Sequence, residues 1–243
     1  MSLMGSLKHY KATRSNYLVE ASYKQNINAQ RVLLIGISKL NSKASELPKN
    51  GVRITVEEFA ETYKDALDSK YAYEAFKEGA KYLYEGSISR IDGKKRTDTR
   101  WLSQKEEYQS HDGFVTLFFS PQLKPYLLDI KTRFLSIALR EIAMLKSIYS
   151  VRLYEYILAV HGSTHITKKN KPITITIDEL KDKFGIKKTY KWFDIKRRVL
   201  EVAKKELKKS GQLLIDYTPI KRGRSIVAVE IFYQLTDQIP MDV

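Results

Sequence analysis

The stretch Tyr190–Lys209, YKWFDIKRRVLEVAKKELKK, decides how the rest of the chain is read. Projected as a helix at about 100° per residue, it places Phe193, Ile195, Val199, Leu200, Val202, Ala203 and Leu207 in one half of the wheel. Lys191, Arg197, Arg198, Lys204 and Lys205 fall in the other half, with Asp194 and Glu201 between them. Lys196 projects into the apolar arc, from which its long stem can carry the ammonium out to water. A helix so divided buries one side on a core and offers a basic side to something anionic. Taken alone, a charged helix face is only a solvated surface. Its neighbours supply the context.

Upstream lies a short strand pattern, Ile173–Ile177, then a helix from Asp178 to Phe184 with Asp178 expected as its N-cap and Gly185 as the residue that closes it. Lys187 and Lys188 follow in the turn before the long helix, which Gly211 ends. Two further strand patterns, Gln212–Thr218 and Ser225–Leu235, are joined by the basic turn Pro219–Arg224, which carries Lys221, Arg222 and Arg224. Helix, turn, helix and a hairpin with a basic tip is the layout of a winged helix-turn-helix module. In that layout the second helix enters the major groove and the hairpin tip touches the backbone. The opening stretch therefore reads as a recognition helix.

Composition supports an anionic partner. The chain has 243 residues, a net charge of +15, 43% hydrophobic residues and no cysteine. That is enough apolar material for real cores, and it excludes a disulfide framework, a thiol nucleophile and a zinc finger. No apolar run approaches the ~18 residues needed to span a bilayer. The charge favours a polyanion, either nucleic acid or an anionic membrane surface, of which DNA is the expected partner. A cytoplasmic location is expected. The net charge is +6 before Leu145 (23 basic against 17 acidic residues) and +9 from it onward (20 against 11). The second half should dominate electrostatic contact with DNA.

The winged pattern occurs twice. Ile54-Thr55-Val56-Glu57-Glu58-Phe59 matches Ile175-Thr176-Ile177-Asp178-Glu179-Leu180 in residue type throughout. A second helix, Tyr71–Tyr84, follows the first copy with Lys77 and Lys81 on it, offset by Glu74, Glu78 and Glu85. The first copy's wing is expected to be longer, with a basic tip at Lys94, Lys95 and Arg96 and strands over Arg100–Tyr108 and Gly113–Phe119. So long a period means two copies of a domain. The predicted fold is α+β, two tandem winged-helix domains related by an internal pseudo-repeat: 15–134 and 135–243, preceded by a flexible basic arm, 1–14. The helical pattern of 15–40 breaks near Asn26, helices are expected over 121–131 and 146–161, and a connection over 134–145.

With these segments in place, the chain resembles the initiator replication proteins of iteron-controlled bacterial plasmids. The resemblance is carried by Arg100-Trp101, Phe118-Phe119-Ser120-Pro121 with Leu123 and Pro125-Tyr126-Leu127, Tyr149–Tyr156, and Phe193–Leu200, in that order. It implies that basic residues at Lys191, Arg197 and Arg198 read bases in repeated double-stranded origin sites. It also implies that the first domain contacts the backbone and mediates dimerisation, that the protein exists as initiating monomers and self-repressing dimers, and that it recruits the host initiator and helicase. Lysine at 191, a point charge where arginine offers a planar fork, implies weaker discrimination there.

Catalytic readings lack their parts. Rolling-circle nicking needs two histidines one residue apart; His9, His111, His161 and His165 offer at best a pair four apart, in a Gly-Ser context. No GxxxxGK[ST] loop and no nucleophile elbow is present. No metal and no cofactor is expected. Trp101 and Trp192 are assigned to the core, and both basic tips to phosphate contact. The competing functions are a repressor without initiator role, a nicking enzyme and a sequence-indifferent DNA-coating protein.

Overall fold

Thr55 and Thr176 start equivalent helices in two separate units. Each hydroxyl accepts the backbone N–H three residues on, Glu58 at 3.1 Å and Glu179 at 3.2 Å. Each of those glutamates returns a bond from the threonine's own N–H, at 2.9 and 3.0 Å. These reciprocal capping boxes satisfy donors that a helix start leaves orphaned. The cap of the second is thus Thr176, not Asp178: Asp178 sits inside the first turn, where its charge complements the helix dipole. The two hydrogen bonds from Thr176 hold the Glu179 carboxyl below the usual range.

The structure, a computed structural model, describes residues 7–92, 94–107, 113–163 and 171–236. One unit ends at Met144 and the other begins at Leu145. Unit one runs β1 (Lys11–Ser15), α1 (Asn16–Glu20), α2 (Ile27–Ser38), β2 (Val52–Thr55), α3 (Val56–Tyr63), α4 (Ala72–Glu85), β3 (Ser87–Asp92), β4 (Lys95–Arg100), β5 (Leu102–Glu107), β6 (Phe114–Phe119), α5 (Lys124–Leu127), β7 (Phe134–Ala138) and α6 (Leu139–Ile142). Unit two runs α7 (Ile148–Ser163), β8 (Ile173–Thr176), α8 (Ile177–Phe184), α9 (Trp192–Ile195), a π-helical turn (Lys196–Leu200), α10 (Glu201–Ser210), β9 (Leu213–Arg222) and β10 (Ser225–Leu235).

Both units build the same antiparallel three-stranded sheet. The strand ahead of the helix-turn-helix pairs with the last strand of the hairpin, giving the order β2-β6-β5 in one unit and β8-β10-β9 in the other. Ile54 faces Val115 across the first pairing and Ile175 faces Val229 across the second. All four are buried. The fold is therefore α+β with two winged-helix units, as the repeat predicts.

Several expectations are corrected. The basic tip at Lys94–Arg96 does not belong to the wing. It ends β3–β4, an inserted hairpin with a two-stranded sheet of its own, and the wing of unit one is β5–β6. Gly93 and residues 108–112 lie outside the described residues. The expected arm is partly built into the fold: β1 pairs with β7, and Leu7, Ala12 and Arg14 are buried. That pairing also carries unit one to Met144 rather than to 134, and it makes a strand and a short helix of the stretch read as a connection. Residues 121–131 give only a 3-10 turn and the single turn of α5, since Pro125 removes a donor and Leu128 is already extended. In unit two the turn is only Gly223-Arg224, with Gly223 at φ +61°; Pro219 lies within the edge strand β9, where a missing N–H is tolerated.

Helices α2 and α4 cross at Gly79. A Cβ there would sit 2.6 Å from the Asn28 carbonyl oxygen and 3.0 Å from Val32 Cγ2. Alanine usually stabilises a helix interior over glycine by about 1 kcal/mol. Here a backbone carbonyl blocks it. Gly79→Ala is expected to lose about 1–3 kcal/mol in urea unfolding, the usual cost of overpacking.

Candidate nucleic-acid interface

The long helix of unit two is anchored by Ile195, Val199, Leu200, Ala203 and Leu207, all buried. Its entry is fixed by Asp194, whose carboxylate accepts the Lys191 backbone N–H at 3.3 Å. Gly185, at φ +62°, lets the chain leave α8, and Gly211, at φ +71°, ends α10. Both positions are left-handed, which glycine adopts without a Cβ penalty. Between Ile195 and Val199 stand three consecutive exposed cations, Lys196, Arg197 and Arg198. They occupy the π-helical turn. Such turns interrupt a helix at a cost and are found frequently at functional sites.

Each arginine is oriented by an aromatic neighbour, Arg197 by one on the helix and Arg198 by Tyr190 just ahead of it. Arg198 Nη1 donates to the Tyr190 hydroxyl at 3.3 Å, its guanidinium lies 5.3 Å over the Tyr190 ring, and its Nε is 3.6 Å from Asp194 Oδ1. Arg197 lies 5.3 Å over the Phe193 ring. Exposed pairs of this kind contribute little to stability. Their effect is to limit the rotamers of two flexible cations. The signal that could have found them is the i, i+4 spacing of 190, 194 and 198, which a division of the wheel into apolar and basic halves passes over.

The opposite flank is tied to the wing. Lys204 Nζ bonds Asp216 Oδ1 at 2.8 Å, which raises the lysine's pKa and lowers the aspartate's. The Tyr217 hydroxyl donates to the Glu201 carboxylate; burial first, and then that carboxylate, push its pKa far up and keep it neutral. Lys204 therefore braces α10 against β9. Glu206, also on α10, accepts the backbone N–H groups of Lys146 and Ser147 at 3.1 Å each, ahead of α7.

The remaining sequence candidates are exposed. Lys187 and Lys188 lie in the turn before Lys191, where the Lys188 carbonyl accepts from Lys181 Nζ at 3.2 Å. Lys205 faces solvent on α10, and Lys221, Arg222 and Arg224 surround the two-residue wing turn. Unit two thus gathers Lys187, Lys188, Lys191, Lys196, Arg197, Arg198, Lys205 and the wing cations on one module. In unit one, Lys77 and Lys81 are exposed on α4, and Lys77 lines a depression of about 320 Å³ with Tyr73, Phe76 and Glu107. Lys94, Lys95 and Arg96 are exposed at the inserted hairpin, where Arg96 pairs with Asp98 at 3.2 Å.

Two aromatic expectations separate. Trp101 is buried edge-on to Tyr23, whereas Trp192 is partly exposed, 6.3 Å edge-on from Tyr217. Phe193 is also displaced: the wheel puts it on the apolar half, yet it is exposed. A constant 100° per residue fails through a π turn, where each residue advances less. The Nδ1 of His161 lies 3.2 Å from the Tyr233 hydroxyl; His165 and His111 lie outside the described residues.

Helix-turn-helix and three-stranded sheet, twice over, with a basic second helix in unit two, define a tandem winged-helix DNA-binding class. Residues 11–158 match the family model of the initiator replication protein WH1 domain and residues 176–233 that of the initiator Rep protein WH2 domain. The chain belongs to the family of initiator replication proteins. The fold is similar to that of the Pi initiator protein, solved in complex with iteron DNA, at a TM-score of 0.74 and 24% identity over 95% of this chain and 99% of that one. The WH1 domain of a replication protein isolated from a multiple sclerosis patient matches 42% of this chain and 76% of its own at 19% identity and a TM-score of 0.31. No curated protein sequence matches. No helix among the described residues is long and apolar enough to cross a membrane.

The two tryptophans give a direct readout of this face. Acrylamide should quench Trp192 emission and spare Trp101. Duplex DNA should change the emission of the wild-type protein and leave that of the Trp192→Phe variant nearly constant. A response unchanged in that variant would remove Trp192 from the interface.

Proposed function

We propose that the chain initiates replication of a plasmid by binding repeated double-stranded origin sites, reading their bases with the helix that carries Arg197 and Arg198. The carrying observation is that these two arginines are exposed on a helix whose other side is buried, each held by an aromatic neighbour, in a member of the initiator family. Arginine's fork matches the O6 and N7 acceptors of guanine. The Pi initiator, which shares this fold, was captured on iteron DNA.

Unit one, less basic on α4, would contact the backbone at the other end of the site and mediate self-association. Repression of its own gene as a dimer, recruitment of a host initiator and helicase, and action in the cytoplasm are supported by the family resemblance. The protein acts by binding rather than by cutting: supercoiled origin DNA incubated with it and Mg²⁺ or Mn²⁺ should remain uncut.

Arg197→Ala or Arg198→Ala is expected to cost about 1–3 kcal/mol on the specific site and less on random DNA, measured by mobility shift at fixed salt. Equal weakening on both would make the residue a phosphate ligand. Neutralising Lys221, Arg222 or Arg224 should weaken both DNAs alike and lower the salt slope by about 0.9 for each phosphate no longer neutralised. An unchanged slope would remove that side chain from the backbone. A fragment carrying the gene's upstream region should give a ladder of shifted species that a scrambled fragment does not.

A further inference from the structure

Phe193 is 66% exposed, the most exposed of the large apolar side chains among the described residues. It stands in the first turn of the long helix of unit two, one turn ahead of Arg197, whose guanidinium covers its ring at 5.3 Å. An apolar ring left in water loses hydration free energy that burial would recover. Its surroundings say what would bury it. Arg197 covers it, and Lys191 and Lys196, two and three residues away in the chain, are exposed too, so an apolar protein surface docking there would have to desolvate cations. A nucleic-acid groove supplies the anions those cations need.

We propose that Phe193 reads a thymine methyl group in the major groove, an inference that rests on the DNA-reading role given above. Base edges in the major groove differ mainly in donors and acceptors, and phenylalanine has neither. The one apolar feature there is the thymine C5-methyl group. The Arg197 guanidinium lies 5.3 Å from the centre of the Phe193 ring, less than two base steps of about 3.4 Å. The thymine that Phe193 covers therefore lies within two steps of the guanine that Arg197 takes. The pair acts as a unit: the ring limits the arginine's rotamers, and the arginine shields one face of the ring. Phe193 is then a specificity-determining residue, and specificity at its position depends on a methyl group rather than on hydrogen bonds.

The test removes that methyl. The full-length protein is used to select its site from random-sequence duplexes, and each thymine of the site is replaced in turn by deoxyuridine, which keeps all hydrogen bonds. For the wild type, one or two replacements should weaken binding about fourfold, the value of one buried methyl-sized group. Phe193→Ala should bind the thymine and uracil sites equally, while Phe193→Leu, still apolar, should retain part of the preference. Urea unfolding of both variants should match wild type, because the ring is exposed. If no sequence is enriched, the DNA-reading role itself falls. If a site is enriched but every uracil replacement is neutral, or if Phe193→Ala keeps the wild-type uracil sensitivity, the thymine assignment alone is overturned. Unchanged DNA affinity in Phe193→Ala would give the ring to a protein contact instead.

Discussion

Burial of one side of the long helix is the constraint on which the rest of unit two depends. Ile195, Val199, Leu200 and Leu207 are large apolar side chains with at most 1% exposure. Each contributes about 1.5–3 kcal/mol by leaving water. Against this, the solvent-screened Arg198–Asp194 and Lys204–Asp216 pairs contribute little. The core therefore decides which way the helix faces, and the charges take the side that is left. The same division explains why the basic face tolerates so many uncompensated cations. Its repulsion is small beside the apolar seam.

The supporting contacts restrain that face at several points. Lys204–Asp216 and Glu201–Tyr217 fasten the helix to β9, whose far end carries Lys221 and Arg222. Glu206 fastens it to the start of α7, and Arg152 of α7 donates to the Lys183 carbonyl near the end of α8. The long helix, the wing and α8 thus share a frame of side-chain contacts. Lys204, a cation on the basic half of the wheel, is also part of that frame through Asp216.

Much of this is legible in the sequence where the cause is local. Gly185 and Gly211 announce two helix ends, because left-handed positions are set by a few adjacent residues. The Thr176–Glu179 capping box is just as local, yet the acidic run after it drew the expected cap to Asp178. Features set by distant partners are not legible. Strand β7 is five residues long and becomes a strand by pairing with β1, more than a hundred positions earlier. The basic tip at Lys94–Arg96 has the chemistry of a wing, and only strand order shows that it ends an inserted hairpin. At the candidate interface, the cations can be found because charge periodicity survives in a linear projection. Phe193 is misplaced because the projection assumes an uninterrupted α-helix, and the π turn at Lys196–Leu200 breaks that assumption.

The β1–β7 pairing also orders events during synthesis. Its first strand leaves the ribosome more than a hundred residues before its partner, which emerges only when unit one is almost complete. Local contacts cannot close a loop of that length early, so unit one must keep an open strand edge through most of its own translation. The sheet of unit two closes within the span from Ile173 to Leu235 and needs no such wait. The nascent chain is thus most exposed to mispairing before Ala138 emerges. The inserted β3–β4 hairpin, whose strands are adjacent in sequence, is free to form during that interval.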